Sequence, residues 1–244
     1  MSLDAIAAAP VGVLGLTAKD LTPRAVAVTP YVIDGRVTIT TTLALLTKAK
    51  MLRNRPAAAV YAGGMHVSGD VTLAMHRDST WFDEYLRGPE SEKYPPAKSL
   101  LAVPFHRRVL WWYVGRVSMT FGDPTIEAHP GSDRATITSV VDGEVRITPL
   151  DPNVAADGDE IELGADVPDG AGCLLLHHET EGMAELLALT LRGTVRNGVL
   201  RVEHRAGSLE PEYPSTRQQL KDLRTLSAQG KANRSTIDAW GDAQ

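Results

Sequence analysis

Apolar and polar positions alternate at short range through most of this chain, and the pattern breaks at Gly and Pro. Val11-Gly-Val-Leu-Gly-Leu-Thr17 is an uninterrupted apolar run, closed by the polar turn Ala18-Lys-Asp-Leu-Thr-Pro23. Arg24 to Ile33 follows as a second strand, and Asp34-Gly35 predicts a two-residue hairpin, because both turn positions need positive φ. Val37-Thr-Ile-Thr-Thr41 is rich in β-branched residues and reads as the return strand. Leu43 to Arg55 changes period: Leu, Ala, Lys and Arg lose little rotamer freedom in a helix, and Pro56 ends it. Ala57 to Tyr61 and Met65 to Met75 are two strands joined by Gly63-Gly64. Asp78 or Ser79 caps a short helix from about Thr80 to Leu86. Gly88 to Pro96 is expected to be a polar loop, and Val109 to Phe121 a long aromatic strand.

The second half repeats the habit. Ala135 to Ser139 and Glu144 to Ile147 flank Asp142-Gly143; Gly172 to His177, Glu185 to Leu191 and Val199 to His204 are three more strands, the last two joined at Asn197-Gly198. Asp151 to Asp169 is acidic and turn-rich, a solvated connection. Pro214 to Gly230 has the pattern of an amphipathic helix with a Gly stop, and Ser235 to Trp240 of a shorter one. The expected fold class is mainly β with short helices (α+β), in two parts, 1–122 and 123–244. The apolar runs at Val11 and Ala171 sit in equivalent places before an Xaa-Gly hairpin. Two readings stay open: a duplicated barrel half, or the common look of antiparallel meanders.

Composition narrows the function classes. The chain has 244 residues with net charge −5, so a general nucleic-acid binder, which is more often basic, is disfavoured. The one cysteine, Cys173, allows no internal disulfide and sits in an apolar strand, where a buried core role is expected. No apolar run approaches the roughly 20 residues needed to span a bilayer, and the expected location is cytoplasmic.

Chemistry concentrates at Thr40-Thr-Thr-Leu-Ala-Leu-Leu-Thr-Lys-Ala-Lys-Met-Leu-Arg53. A strand ending in Thr40, Thr41 and Thr42 runs into a helix start with Thr47, Lys48, Lys50 and Arg53 nearby. Hydroxyls, free N–H groups and fixed cations together make a phosphate site; the alternative is a basic, solvated helix face. A second cluster, Phe105-His-Arg-Arg-Val-Leu-Trp-Trp-Tyr113, puts Arg108 and Trp112 together, a combination able to stack on a planar ring and meet its anionic groups, with barrel core or dimer interface as the competing reading. On a strand, Trp111 and Trp112 would face opposite ways. His177-His178 lacks metal-ligand spacing, and no metal site is expected. There is no dinucleotide fingerprint, phosphate-cradling Gly loop or nucleophile elbow.

The order of these pieces resembles the pyridoxamine 5′-phosphate oxidase-like split β-barrels. The likeness covers about 120 N-terminal residues: apolar strand, Asp-Gly hairpin, Thr-ended strand, then Lys48-Ala-Lys-Met-Leu52-Arg-Asn-Arg-Pro56 matching Lys-x-x-x-Leu-x-x-x-Pro, then Val67-Ser-Gly69-Asp-Val71. The resemblance implies an antiparallel six-stranded split barrel, a homodimer, a small-molecule substrate, and FMN or the deazaflavin coenzyme F-420 as cofactor. It implies a phosphate on Lys48, Thr41 and Thr42, and a ring lying along Val28 to Tyr31 and Thr38 to Thr40. It makes an FMN-dependent oxidoreductase the first expectation and a deazaflavin-dependent reductase the second. A non-catalytic flavin or haem binder is the alternative from another class. Oxidases proper of the group carry an Arg-x-x-x-Leu-Lys segment and a C-terminal Arg-x-His clamp. Neither stands here in matching context, since Arg201-Val-Glu-His204 lies outside the likeness, so vitamin B6 oxidation is not expected.

Overall fold

The computed structural model of the protein describes residues 3–102, 105–180, 185–211 and 215–240. In chain order the elements are α1 (Asp4–Ala8), β1 (Gly12–Thr17), β2 (Pro23–Val28), β3 (Pro30–Ile33), β4 (Arg36–Thr42), α2 (Thr47–Asn54), β5 (Ala57–Ala62) and β6 (Met65–His76). A π-helical turn, Phe82–Leu86, leads into α3 (Arg87–Lys93), α4 (Pro96–Leu101), α5 (His106–Val109) and α6 (Trp111–Val114). Then come β7 (Arg116–Phe121), β8 (Thr125–Ala128), β9 (Ala135–Val141), β10 (Glu144–Pro149), β11 (Glu160–Glu162), β12 (Gly170–Glu179), β13 (Leu186–Arg196), β14 (Val199–Ser208), α7 (Thr216–Ala232) and α8 (Arg234–Trp240).

The first sheet is antiparallel and curls as a split barrel, with path β2-β1-β5-β6-β7-β4-β3 and β8 added beside β6. It has eight strands where six are expected, for two reasons. The stretch 24–33 breaks at Thr29, because Pro30 has no N–H to continue the ladder, so β2 pairs β1 while β3 pairs β4. β8 adds to the edge of β6 at Met65 to Ser68. Twelve-residue β6 pairs β5 with its first half and β7 with its second, which is how the barrel folds over. The interior is filled by Leu14, Leu16, Val37, Ile39, Leu52, Val60, Val67, Met119 and Phe121, with Ile237 of α8 reaching in from the C-terminus.

The second sheet runs β10-β9-β12-β13-β14-β11 and packs on the outside of β1, β2 and β5. Val13, Ala25, Ala59 and Tyr61 meet Val145, Ile147, Cys173 and Leu175 there. This explains why Val11 to Thr17 is apolar without alternation: β1 is buried on both faces. Gly15 permits the approach, since a Cβ there would lie 2.9 Å from Thr138 Cγ2. Cys173 is fully buried in this layer and its thiol is pushed up to about 11 by burial. The three Xaa-Gly hairpins form as expected, with positive φ at Asp34-Gly35, Asp142-Gly143 and Asn197-Gly198.

Four local expectations are corrected. The helix expected over 43–55 starts only at Thr47, because the Thr41 hydroxyl donates to the Leu45 carbonyl at 2.6 Å and holds 43–46 as a turn. The loop expected over 88–96 is helical as far as Lys93: α3 runs on from the π-helical turn and is steadied by the Arg87–Asp83 pair at 2.9 Å. The aromatic strand expected over 109–121 is strand only from Arg116. Its first half forms α5 and α6, so that Leu110, Trp112, Tyr113 and Val114 all bury against Phe82 and Leu86. Aromatic residues favour strands only weakly, and packing overrides that preference. Finally, Gly230 does not stop α7. It lies inside the helix, where a Cβ would come within 2.8 Å of Trp112 Cβ, so its role is close approach to α6. Pro214, the expected start of that helix, lies outside the described residues; Ser215 caps it by accepting from Gln218 N at 3.3 Å. Among the described residues no helix is long and apolar enough to cross a membrane.

Candidate functional site

The register of β4 against β7 sorts the threonines. Thr42 pairs with Arg116, Thr41 with Val117, Thr40 with Ser118 and Thr38 with Thr120. Side chains alternate along a strand, so Thr41 shares the inner face with Ile39, while Thr38, Thr40 and Thr42 share the outer face with Arg116, Ser118 and Thr120. On the neighbouring strand β6, His76 lies opposite Arg116 on that face and its Nε2 is 3.0 Å from Ser118 Oγ. The outer face is therefore lined with hydroxyls and carries one buried guanidinium.

The described helices between Thr80 and Val114 lie across this face. The Trp81 ring stacks on His76 at 4.0 Å, 3° from parallel. Glu90 is 7% exposed and sits at the centre of a buried network. Its Oε2 accepts from the Tyr31 hydroxyl at 2.6 Å, and its Oε1 accepts from the Tyr113 hydroxyl and from Arg116 Nη2, each at 2.7 Å. Burial, then the Glu90 charge, holds both phenols well above the usual tyrosine range. The guanidinium also lies 4.5 Å from the Tyr113 ring centre. Lys93 closes the rim: its ammonium donates to the Pro30 carbonyl at 2.5 Å and is pushed down to about 8 by burial.

One corner of the network is incomplete. Thr42 Oγ1 and Arg116 Nε are buried and have no hydrogen-bond partner, although their residues are paired across the sheet. Lys48, in the first turn of α2, is half-buried and has no hydrogen bond or ion pair among the described residues. Its ammonium is pushed down to about 8, first by burial and then by the Arg116 guanidinium. A buried hydroxyl and a guanidinium N–H without partners, with a desolvated ammonium in the field of the same guanidinium, are groups of the kind that hold a phosphate.

The remaining predicted residues are dispersed. Thr41 spends its hydroxyl on Leu45 and faces inward. Thr40 is half-buried on the outer face. Lys50 is on the opposite flank of α2 and donates to Asn233 Oδ1 at 3.3 Å. Tyr31 is 4% exposed and committed to Glu90. Trp112 is buried in α6 and, being helical, does not stand on a strand opposite Trp111. Arg108 is exposed on α5. The surface expected to carry a cofactor ring, around Tyr31 and Thr38, is covered by the chain's own helices, with Thr38 only 1% exposed. The phosphate end of a flavin thus fits the residues present, and the ring end does not fit this arrangement. Glu90 was missed because nothing within Arg87-Gly-Pro-Glu90 marks it as buried. Arg116 is visible in the sequence as a further cation just after the Phe105 to Tyr113 cluster, and nothing there marks it as buried.

Fold and site together define an antiparallel split β-barrel with a cationic, hydroxyl-lined corner beneath a helical cover. No family model and no curated protein matches the sequence. Several solved structures do match. A NimC/NimA family protein from Clostridium acetobutylicum is 16% identical, over 52% of this chain and 84% of its own, with TM-score 0.35. An F-420 reductase is 15% identical, over 52% and 96%, with TM-score 0.39. A protein related to general stress protein 26, of the pyridoxinephosphate oxidase family and also from Clostridium acetobutylicum, is 11% identical, over 60% and 90%, with TM-score 0.35. At such identities and TM-scores they carry no argument, and the reading of the site rests on this chain's own residues.

Proposed function

We propose that this chain binds a phosphorylated cofactor, FMN in the first instance, with Lys48, Thr42 and Arg116 holding the phosphate and the ring lying outside the covered face of Tyr31 and Thr38. The observation that carries the reading is the pair of buried, unpartnered atoms, Thr42 Oγ1 and Arg116 Nε, near a Lys48 that has no hydrogen bond or ion pair among the described residues. FMN rather than another phosphate ester comes from the resemblance of the Lys48 to Pro56 segment to the flavin-binding split barrels. When bound, a flavin supplies hydride chemistry that no side chain here provides. The chain's own residues position the phosphate and neutralise it.

A second reading, a binder without redox chemistry, is favoured by the cover over Tyr31 and Thr38. One titration separates the possibilities. FMN, riboflavin and the deazaflavin coenzyme are added in turn to the purified protein, and binding is followed by flavin fluorescence. The first reading expects FMN to bind and riboflavin, which lacks the phosphate, to bind at least about tenfold more weakly. Lys48→Ala and Thr42→Val should each weaken FMN and leave riboflavin unchanged. Equal affinity for FMN and riboflavin refutes the phosphate corner. FMN binding without reduction by a nicotinamide donor supports the non-redox reading, and preference for the deazaflavin replaces FMN as the cofactor.

A further inference from the structure

A second feature lies on the inside of the barrel, independent of the phosphate corner. Leu73 and Met75 alternate with the outward positions of β6 and pack towards the interior, paired with Met119 and Val117. Yet both are only half-buried, while Met119 and Val117 are 1% and 0% exposed. The space in front of them is a cavity of about 310 Å³ at the mouth of the barrel, between α2, β6 and the end of α8. Its walls include Leu52, Leu73, Met75 and Val117, and its rim carries Arg53 and Trp240. Core-facing apolar side chains left open to solvent forfeit burial at roughly 25 cal/mol per Å², so an apolar occupant would restore it.

The rim sets the polarity of that occupant. The Arg53 guanidinium stacks on the Trp240 ring at 4.9 Å and makes no hydrogen bond or ion pair among the described residues. Among the described residues no acidic side chain lines the cavity. A planar fork of donors at the mouth of an apolar cavity matches a carboxylate on a short hydrocarbon. The volume lies at the lower end of the range for small-molecule sites, and barrel mouths are a common place for them.

We propose that the barrel mouth is a binding site for a small apolar carboxylate, with its hydrocarbon against Leu73 and Met75 and its head group on Arg53. The test is calorimetric titration of the full chain with octanoate. Arg53→Gln removes the head-group partner at an exposed position, and Leu73→Trp fills the cavity. The expected result is saturable one-to-one binding that weakens at least about fivefold in each variant, as loss of a charge-assisted contact or of the space requires. Absence of saturable binding, or a smaller loss in Arg53→Gln, overturns the proposal. Folding of both variants is checked by circular dichroism, and if Leu73→Trp does not fold, Arg53→Gln alone decides. Binding of FMN is measured alongside and should be unchanged in Leu73→Trp, whose side chain lies on the inner face of β6, which separates this site from the phosphate corner.

Discussion

Replacing Lys48 by Met should make the ligand-free protein more stable while removing phosphate binding. The ammonium is held from its ordinary 10.5 down to about 8 by burial and by Arg116. At roughly 1.36 kcal/mol per pH unit, that difference of about 2.5 (10.5 − 8) amounts to about 3 kcal/mol carried against the folded state at neutral pH. The side chain keeps some contact with solvent, which screens part of the cost, so about 1–3 kcal/mol is the expected gain. Methionine keeps the length of the stem and removes the charge.

The pH dependence gives the sign. Below about 8 both folded and unfolded chains hold the proton, and the cost is felt in full. Between about 8 and 10.5 the folded protein has released its proton and the unfolded chain has not, so unfolding takes up a proton and stability rises with pH. Above 10.5 both are neutral and the cost is gone. Tyr31 and Tyr113, held above the usual phenol range, act in the opposite direction above pH 10. The quantity to measure is therefore the difference between wild type and Lys48→Met in urea unfolding across pH 6 to 10. The difference should favour the variant at pH 6 to 7 and shrink as pH rises through 8. A variant less stable than wild type at pH 7, or a difference independent of pH, refutes the picture of a desolvated cation awaiting an anion.

Glu90→Gln keeps the shape of the buried network and removes its negative charge, leaving the Arg116 guanidinium uncompensated at 3% exposure; a loss of about 3–5 kcal/mol in urea unfolding is expected. Gly193→Ala should cost several kcal/mol, on the order of 3 or more, because a Cβ at this register shift would overlap the Arg201 carbonyl oxygen; a melting temperature equal to wild type would contradict it. Asn233 Nδ2 donates to the carbonyls of Leu43 and Ala44 at 3.0 and 3.1 Å, so Asn233→Ala should cost about 1–2 kcal/mol and speed amide hydrogen exchange in α7 and α8, with unchanged exchange counting against the docking.

The parts of this protein that depend on near neighbours were legible in the sequence. The hairpins at Asp34-Gly35, Asp142-Gly143 and Asn197-Gly198 form because only a few residue types tolerate two successive positive φ values, a constraint written within two positions. The apolar run at Val11 and the helix that ends before Pro56 were equally visible, and with them the barrel and one corner of the candidate site. What only the tertiary structure decided involves partners far apart along the chain. Arg116 meets Glu90 across 26 positions, and Tyr31 meets Glu90 across 59, so burial of that carboxylate depends on where two other strands deliver their side chains. The same holds for Trp111 to Val114, whose composition favours a strand while the niche between Phe82, Leu86 and α7 accepts a helical turn. Local rules name the threonines and the lysine. Only packing determined that Thr41 turns inward, that Thr42 keeps a free hydroxyl beside Arg116, and that a helical cover lies over the rest of the face.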